Sequence, residues 1–294
     1  MIHILDLHFQ ADRTIAAFAV ETQDGLVLIE CGPHSVYPHL LAGLNRLGYQ
    51  PADVRHVLLS HIHFDHAGAA WALAREGATI HVHPAGYKHL QNPGRLYASA
   101  QRIYGDQMDV LWGAMHGIDE EKLKSVPDEA EISCGEVTFK AWYTPGHASH
   151  HIAWQMGGVL FTGDVAGCRI DGGPVSPPCP PPDIDIELWQ ASLERIRRID
   201  PEMLYLTHYG KIEAVAEHLA KLEQTLLDWA AWMHPHAVAG TDAAAITPDF
   251  QAYAGQQLRL AGLDDVAIAR YEAANPAWMS VAGLLRYWAK KLGA

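Results

Sequence analysis

A cluster of metal-ligand side chains directly after an apolar segment is the feature that most constrains the fold of this chain. Residues 54–59 are mostly apolar, and the sequence His61-x-His63-x-Asp65-His66 follows them closely. A short buried strand that ends in such a turn can direct several side chains into one cavity, because the sheet holds the turn in place. Three imidazoles and one carboxylate suit zinc, iron or manganese better than magnesium or calcium, which prefer oxygen ligands.

Three later segments repeat this arrangement at other predicted strand ends. Residues 144–147 end in a histidine, residues 161–164 end in an aspartate, and residues 206–210 contain one more histidine. In each case an apolar run leads into a turn that contains glycine. Coincidence is a poor explanation for four such strand ends in one chain, so we group their polar residues into one site. The candidate metal ligands are His61, His63, Asp65, His66, His147, Asp164 and His208.

Composition limits the classes of protein to which this chain can belong. Its 294 residues and 32.3 kDa are enough for one large domain, or for one domain with an appendage. Hydrophobic residues make up 49% of the sequence, so the chain can build a sizeable core and is not a disordered sequence. The formal net charge of −13 disfavours nucleic acids and anionic membrane surfaces as partners.

The sequence lacks the features that direct a chain to a membrane or out of the cytoplasm. No apolar run reaches 18 residues, and the first eight residues lack the basic and apolar regions of a signal peptide. The four cysteines are scattered and form no Cys-x-x-Cys pair, which is typical of reduced cytosolic thiols. We therefore expect a cytoplasmic protein without a membrane partner.

The order of predicted elements indicates an α/β architecture. The first 30 residues predict β structure, in which apolar runs at 15–20 and 26–29 flank a Gln-Asp-Gly turn and predict a hairpin. Helical spacing of apolar residues predicts helices near 40–47, 69–75 and 188–199, and a long amphipathic helix from residue 212 to 233. Further strands are expected at 54–59, 78–82, 137–143, 151–156, 159–162 and 203–207. Strands that alternate with helices in this way are typical of α/β domains.

Three segments fall outside this alternation. Residues 85–130 are rich in aromatic residues and methionine, show no strand alternation, and predict a helical insertion that acts as a lid, a dimer surface or both. The proline cluster at 177–182 predicts a stiff extended loop. The alanine-rich tail predicts helices. We therefore expect a catalytic domain over 1–235, which includes the insertion, and a helical C-terminal appendage over 236–294.

The combined motifs resemble those of the metallo-β-lactamase-fold hydrolases, and of their glyoxalase II-like and lactonase-like branches more than of the true lactamases. The resemblance runs from about residue 12 to residue 210 in the family's order and rests on HxHxDH at 61–66, TPGH ending at His147, TGD ending at Asp164, and His208. It implies an αββα sandwich of two mixed β-sheets flanked by helices, with two metal ions at one edge.

The resemblance also implies a division of labour among the candidate ligands. The first metal would be held by His61, His63 and His147, the second by Asp65, His66 and His208, and Asp164 would bridge both. The implied ions are two divalent cations, with Zn²⁺ as the first choice and Fe or Mn as alternatives. Asp65, His66 and Asp164 would be the catalytic residues.

The activity that the resemblance implies is metal-dependent hydrolysis of a small ester, thioester or lactone. Two cations about 3.5–4 Å apart can share a hydroxide, which then acts as the nucleophile at neutral pH. Three alternatives stay open at this point. They are a phosphodiesterase or nuclease of the same fold, a mononuclear iron enzyme similar to the persulfide dioxygenases, and a non-catalytic metal-binding sensor.

The chain departs from the family pattern at several positions. Glu30 stands where the family often has the aspartate of a DxG turn, and Gly167 stands where lactonase-like members often carry a tyrosine. The tail also lacks a counterpart of the basic residues with which glyoxalase II holds glutathione. These departures count against an acyl-homoserine lactone and a glutathione thioester as substrates. For a small-molecule substrate, the candidate contacts are His150, Arg169 and Tyr209.

Overall fold

The first of two mixed sheets is built from the N-terminal half of the chain. The computed structural model describes residues 1–293. The strands are β1 (Ile2–Asp6), β2 (Ala16–Thr22), β3 (Gly25–Ile29), β4 (Val54–Leu58), β5 (Thr79–Val82) and β6 (Leu123–Ser125), in this order across the sheet. Strands β1 to β3 pair antiparallel, and β3 to β6 pair parallel. The predicted hairpin is β2 with β3.

The second sheet follows in the chain and is mostly antiparallel. Its strands are β7 (Glu131–Cys134), β8 (Val137–Tyr143), β9 (Ile152–Met156), β10 (Val159–Gly163), β11 (Met203–Leu206) and β12 (Gly210–Ile212). They pair in chain order across the sheet, and β10 and β11 are the parallel pair. A parallel pair needs a crossover, which a helix between β10 and β11 supplies.

Helices cover the outer faces of both sheets and form the C-terminal part of the chain. They are α1 (Tyr37–Arg46), α2 (Phe64–Ala67), α3 (Ala70–Arg75), α4 (Pro84–Gln91), α5 (Gly94–Tyr104), α6 (Met108–Leu111), α7 (Ile186–Ile199), α8 (Val215–Val238), α9 (Ala243–Leu260), α10 (Asp265–Ala274) and α11 (Ala277–Leu292). The crossover helix α7 begins at an aspartate cap, because the Asp185 side chain accepts a hydrogen bond from Leu188 N. Across the described residues, no helix is both long enough and apolar enough to cross a membrane.

The two sheets pack face to face around an aromatic core. The rings of Phe18, Phe161 and Tyr205 come from both sheets, and each pair of ring centroids is 5.4 Å apart. Two backbone hydrogen bonds also join the sheets: Ile152 N donates to Ser60 O at 2.7 Å, and Ala16 N donates to Thr207 O at 2.9 Å. The strand ends of the two sheets are therefore held close together at one edge. The predicted αββα sandwich is confirmed.

The structure corrects the sequence-based elements at three short strands. Residues 85–130 contain β6, although the sequence predicted only helical structure there, and β7 and β12 were also missed. These strands have three or four residues, too few for alternation to be recognised, and they form because β5, β8 and β11 offer them a free edge. The predicted domain boundary after residue 235 lies inside the last turn of α8.

Candidate metal centre

The four predicted strand ends meet at one edge of the sandwich. Strand β4 leads into the turn that carries His61 and then into α2. The turn between β8 and β9 carries His147, the residue after β10 is Asp164, and His208 follows β11. The sheets fix these turns relative to one another, so side chains that lie up to 147 residues apart in sequence (from 61 to 208) converge.

Three histidines converge on one point and are called the first trio: His61, His63 and His147. The Nε2 atom of His61 lies 2.8 Å from Nδ1 of His63 and 3.2 Å from Nε2 of His147. The Nε2 atom of His147 lies 3.1 Å from Nδ1 of His63. Three imidazole nitrogens that face a common centre in this way are a ligand set for a zinc-like cation.

Outer contacts fix two rings of the first trio. His147 Nδ1 donates to the carbonyl oxygen of Pro178 at 2.8 Å, so its Nε2 presents a lone pair to the trio's centre. The Nδ1 atom of His61 lies 2.9 Å from Ser60 Oγ. Such partners set the tautomer and the ring orientation of a metal-binding histidine.

Asp65, His66 and His208 form a second trio next to the first. The Oδ2 atom of Asp65 lies 3.4 Å from Nε2 of His66 and 3.4 Å from Nε2 of His208. His208 Nδ1 donates to the carbonyl oxygen of Thr14 at 2.7 Å, which directs its Nε2 toward the trio. Both histidines are buried, whereas the Asp65 side chain is 21% exposed and marks the open side of the site.

Asp164 lies between the two trios and is within reach of both. Its Oδ2 is 3.3 Å from Nε2 of His147, and its Oδ1 is 3.2 Å from Nε2 of His66 and 3.4 Å from Nε2 of His208. The side chain is only 4% exposed, so both oxygens point into the protein. A single carboxylate therefore connects the two groups of ligands.

The two trios differ in their electrostatics. Burial lowers the pKa of His61 well below its usual value, and burial together with His147 lowers the pKa of His63 to about 4. Burial also opposes a charge on His66 and His208, but Asp164 and Asp65 outweigh it and raise the pKa of both histidines. The first trio is thus a set of neutral lone-pair donors, and the second lies in a negative field that attracts a cation.

The residues of both trios fit divalent cations. Within each trio, one ligand atom per residue lies within 4.8 Å of the others. Among the described residues, the buried atoms His66 Nε2 and Asp164 Oδ1 face each other at 3.2 Å without forming a well-aligned hydrogen bond, so neither has a hydrogen-bond partner. Buried polar atoms without partners are costly in a native protein, and a cation bound between these atoms would satisfy them. The donor set of nitrogen and carboxylate oxygen suits Zn²⁺, Fe or Mn.

Glu30, the departure from the family's DxG turn, supports the second trio. Its side chain is fully buried, and its Oε1 accepts a hydrogen bond from Ser60 N at 3.0 Å. Its Oε2 lies 3.4 Å from Nδ1 of His66. The carboxylate therefore connects the strand end before the first trio to a histidine of the second, which the sequence alone did not reveal.

His151 is a further supporting residue whose role the sequence did not define. Its Nδ1 lies 2.8 Å from Thr144 Oγ1, and its Nε2 accepts a hydrogen bond from Asp164 N at 3.2 Å. The ring is fully buried and packs beside Gly163, where an added Cβ would lie 2.7 Å from His151 Nε2. The position of Asp164 thus depends on its backbone contact with His151.

The three predicted substrate contacts lie in different surroundings. The ring centroid of His150 is 6.2 Å from that of His61 and 5.9 Å from that of His63, so His150 lines the first trio. The Arg169 side chain turns back to its own loop, where Nε donates to Gly173 O at 2.9 Å. Burial and the carboxylates of Asp6 and Asp12 raise the pKa of Tyr209 to about 12, which indicates that its phenol faces the N-terminal loop.

The insertion contacts the C-terminal helices through Tyr104. Tyr104, at the end of α5, donates to Met279 Sδ at 3.6 Å, and its ring packs edge-on against Trp278 with centroids 5.7 Å apart. Burial and, to a smaller extent, the Asp65 carboxylate raise the pKa of Tyr104. The aromatic composition of the insertion was the available sequence evidence, but it did not single out Tyr104.

The family model of the metallo-beta-lactamase superfamily matches residues 12–208 of this chain. The metallo-beta-lactamase fold-containing protein ST1585 of Sulfurisphaera tokodaii is 31% identical over 173 residues, which cover 57% of this chain and 66% of that protein. A hydroxyacylglutathione hydrolase of Tolumonas auensis is 28% identical over 131 residues, which cover 42% of this chain and 40% of that enzyme. The chain thus matches less than two thirds of the length of either relative.

Solved structures agree in fold. The crystal structure of the metallo-beta-lactamase family protein TTHA1429 from Thermus thermophilus has a TM-score of 0.75 at 17% identity and covers 100% of this chain and 94% of its own. At that identity the likeness shows the fold alone. The family model matches more than half of the chain, in the segment that carries both trios and Asp164. The chain therefore belongs to the metallo-beta-lactamase superfamily.

Proposed function

We propose that this chain is a hydrolase that holds two divalent cations, Zn²⁺ in the first instance, and cleaves a small ester, thioester or lactone. The observation that carries the proposal is the position of Asp164, whose two oxygens lie 3.2–3.4 Å from nitrogens of both trios. Members of this superfamily are mostly metal-dependent hydrolases. The reaction and the number of ions are our proposal for this chain.

The chain's own residues would divide the chemistry between them. Two cations held by the trios would supply an activated water, by lowering its pKa toward neutrality, and a Lewis acid for the substrate's carbonyl oxygen. The first trio keeps its imidazoles neutral, so their nitrogens are free to bind. Asp65 is the more exposed of the two carboxylates and would hold the second cation through its Oδ2, which faces His66 and His208.

Several features support a small substrate that is not a polyanion. The net charge of −13 disfavours long nucleic acids, and His150 lies beside the first trio. The hydroxyacylglutathione hydrolase among the relatives acts, by its name, on a glutathione thioester. We therefore rank small esters and thioesters with lactones, ahead of phosphodiesters, as substrates of this chain.

Metal analysis together with a substrate panel tests the proposal. Protein purified without added metal should contain two divalent ions per chain and should hydrolyse at least one of three probes: a p-nitrophenyl ester, a glutathione thioester and an acyl-homoserine lactone. Turnover of bis(p-nitrophenyl) phosphate alone would favour the phosphodiesterase alternative. One iron per chain, with sulfite formed from a persulfide, would favour the oxygenase. Full metal content without turnover of any probe would favour the sensor.

We also propose a cytoplasmic location and self-association for this protein. All four cysteines are buried free thiols, a state that reducing compartments favour. Ile103 and Val110 of the insertion are exposed, at 44% and 71%, and this apolar surface suits contact with a second copy of the chain. Light scattering of the purified protein at two concentrations would reveal a dimer, and a monomer at both would contradict the self-association.

A further inference from the structure

We propose that Asn275, between α10 and α11, and Ser280, in α11, are positioning residues for His147 and thereby for the first trio. The inference rests on the proposed function, because it assumes that the trio binds a metal. It assigns the C-terminal appendage a role in building the metal centre. The contacts run from the appendage to the proline loop at 177–182, and from the loop to the histidine.

The proline loop provides the partner that orients His147. His147 Nδ1 donates to Pro178 O at 2.8 Å, and the histidine is only 1% exposed. Because water has no access to this ring, the carbonyl of Pro178 determines which nitrogen carries the proton. A shift of the carbonyl would rotate the ring or favour the tautomer that carries the proton on Nε2. Either change would remove the Nε2 lone pair from the centre of the first trio.

Asn275 and Ser280 hold the loop on both sides of Pro178. Asn275 Nδ2 donates to Pro177 O at 3.2 Å, and Ser280 Oγ accepts from Cys179 N at 3.3 Å. The Ser280 hydroxyl donates in turn to Asn275 Oδ1 at 3.2 Å, so the two side chains act as one unit. Both are buried, Ser280 completely. The peptide groups before and after Pro178 are thus fixed by the appendage.

The backbone of α11 also lies directly against this loop. An added Cβ on Gly283 would lie 1.9 Å from Cys179 O, so only glycine permits this approach of the helix. Further along the same helix, Arg286 Nε donates to Pro182 O at 3.3 Å and Lys290 Nζ to the same oxygen at 3.0 Å. Helix α11 therefore contacts the loop along several turns, and the Asn275–Ser280 pair contacts it nearest to His147.

Metal titration of two conservative variants tests the inference. Ser280→Ala removes one hydroxyl and Asn275→Ala one amide, and each should weaken binding of one of the two ions by severalfold, up to about the tenfold that marks the lower end for direct partners of a ligand. Co²⁺ is the probe, added to metal-free protein and followed by its visible absorption. Thr247→Ala is the matched control, since Thr247 Oγ1 donates to Ala243 O within α9, and its Co²⁺ affinity should equal that of the parent protein.

A double-mutant cycle connects the effect to His147. In protein that already carries His147→Ala, the further change Ser280→Ala should leave the affinity for the remaining ion unaltered. An equal loss in both backgrounds would overturn the inference, as would variants that lose thermal stability in the metal-free state yet bind Co²⁺ normally. If Asn275→Ala fails to fold, Ser280→Ala alone decides. Parent protein that binds no Co²⁺ would instead refute the proposed function.

Discussion

The two trios of the metal centre are built on different physical principles. The first consists of neutral imidazoles, whose pKa values are lowered by burial and whose orientation depends on Ser60 Oγ and Pro178 O. The second combines a carboxylate with histidines whose pKa is raised by Asp164 and Asp65, and Glu30 adds a further negative charge. We infer that geometry specifies the first trio and that charge specifies the second.

This difference predicts how the two halves of the candidate metal centre, each of which contains one trio, respond to mutation. Loss of a hydrogen bond should affect the first trio, which has no carboxylate of its own besides the shared Asp164. Loss of a negative charge should affect the second trio, where the attraction for a cation is electrostatic. Asp164 belongs to both halves, so its removal should eliminate the distinction between them.

The largest effect is expected for Asp164→Ala. Both trios lose their shared carboxylate, and the repulsion between two cations is no longer reduced, so the variant should lose at least one ion and all turnover. Elemental analysis and the substrate panel measure both quantities. Asp249→Ala, at an exposed position on α9, is the control and should behave as the parent protein. Retention of two ions and of activity by the Asp164 variant would refute the bridging role.

Gly163→Ala should damage both halves through crowding. The residue has φ +49°, and an added Cβ would lie 2.4 Å from Ser60 Oγ and 2.7 Å from His151 Nε2, the atoms that support His61 and Asp164. Such overpacking typically costs about 1–3 kcal/mol of stability. Gly157→Ala separates this effect from backbone strain, because Gly157 has φ +56° and no atom within 4 Å of the added Cβ. Equal losses of melting temperature in both variants would contradict the crowding argument.

Glu30→Gln should weaken the second half selectively. The amide can still accept from Ser60 N, but the negative charge 3.4 Å from His66 is lost. Outer partners of metal ligands typically contribute 10–100-fold in affinity, and we expect a loss in this range of about tenfold or more for one ion. Competition titration of metal-free protein measures it. Glu21→Gln is the control, because the Glu21 carboxylate pairs with His3 at 3.1 Å and not with a residue of either trio. An equal weakening of both ions would contradict the division between the halves.

The sequence predicted the candidate ligands because each follows a strand that an apolar run already marked. His61, His147, Asp164 and His208 all lie one to four residues beyond a strand of the structure, and the predicted fold and family are confirmed. The supporting residues were not predictable in the same way. Glu30 approaches His66 across 36 residues, and Asn275 approaches Pro177 across 98, and no local pattern encodes such contacts.

The short strands illustrate the same limit on the scale of the fold. Strand β6 has three residues, and only the edge of β5 makes it a strand. Its sequence alone carries too little alternation to be distinguished from the helical segment before it. Local pattern therefore predicts the long elements and the residues at their ends, whereas tertiary contacts decide the edges of sheets and the partners of ligands.

The smallest effect is expected for Ser60→Ala. Ser60 contacts both halves, since its hydroxyl lies beside His61 and its backbone N–H donates to Glu30. The change removes the hydroxyl 2.9 Å from His61 Nδ1 but leaves the backbone N–H that Glu30 accepts. If geometry specifies the first trio, the affinity for its ion should fall by at most about tenfold, while the affinity for the second ion stays the same. Ser133→Ala, at an exposed position on β7, controls for loss of a hydroxyl. A loss of affinity confined to the second ion would contradict this assignment. It would mean that Ser60 acts through Glu30 and that geometry and charge do not each specify one trio.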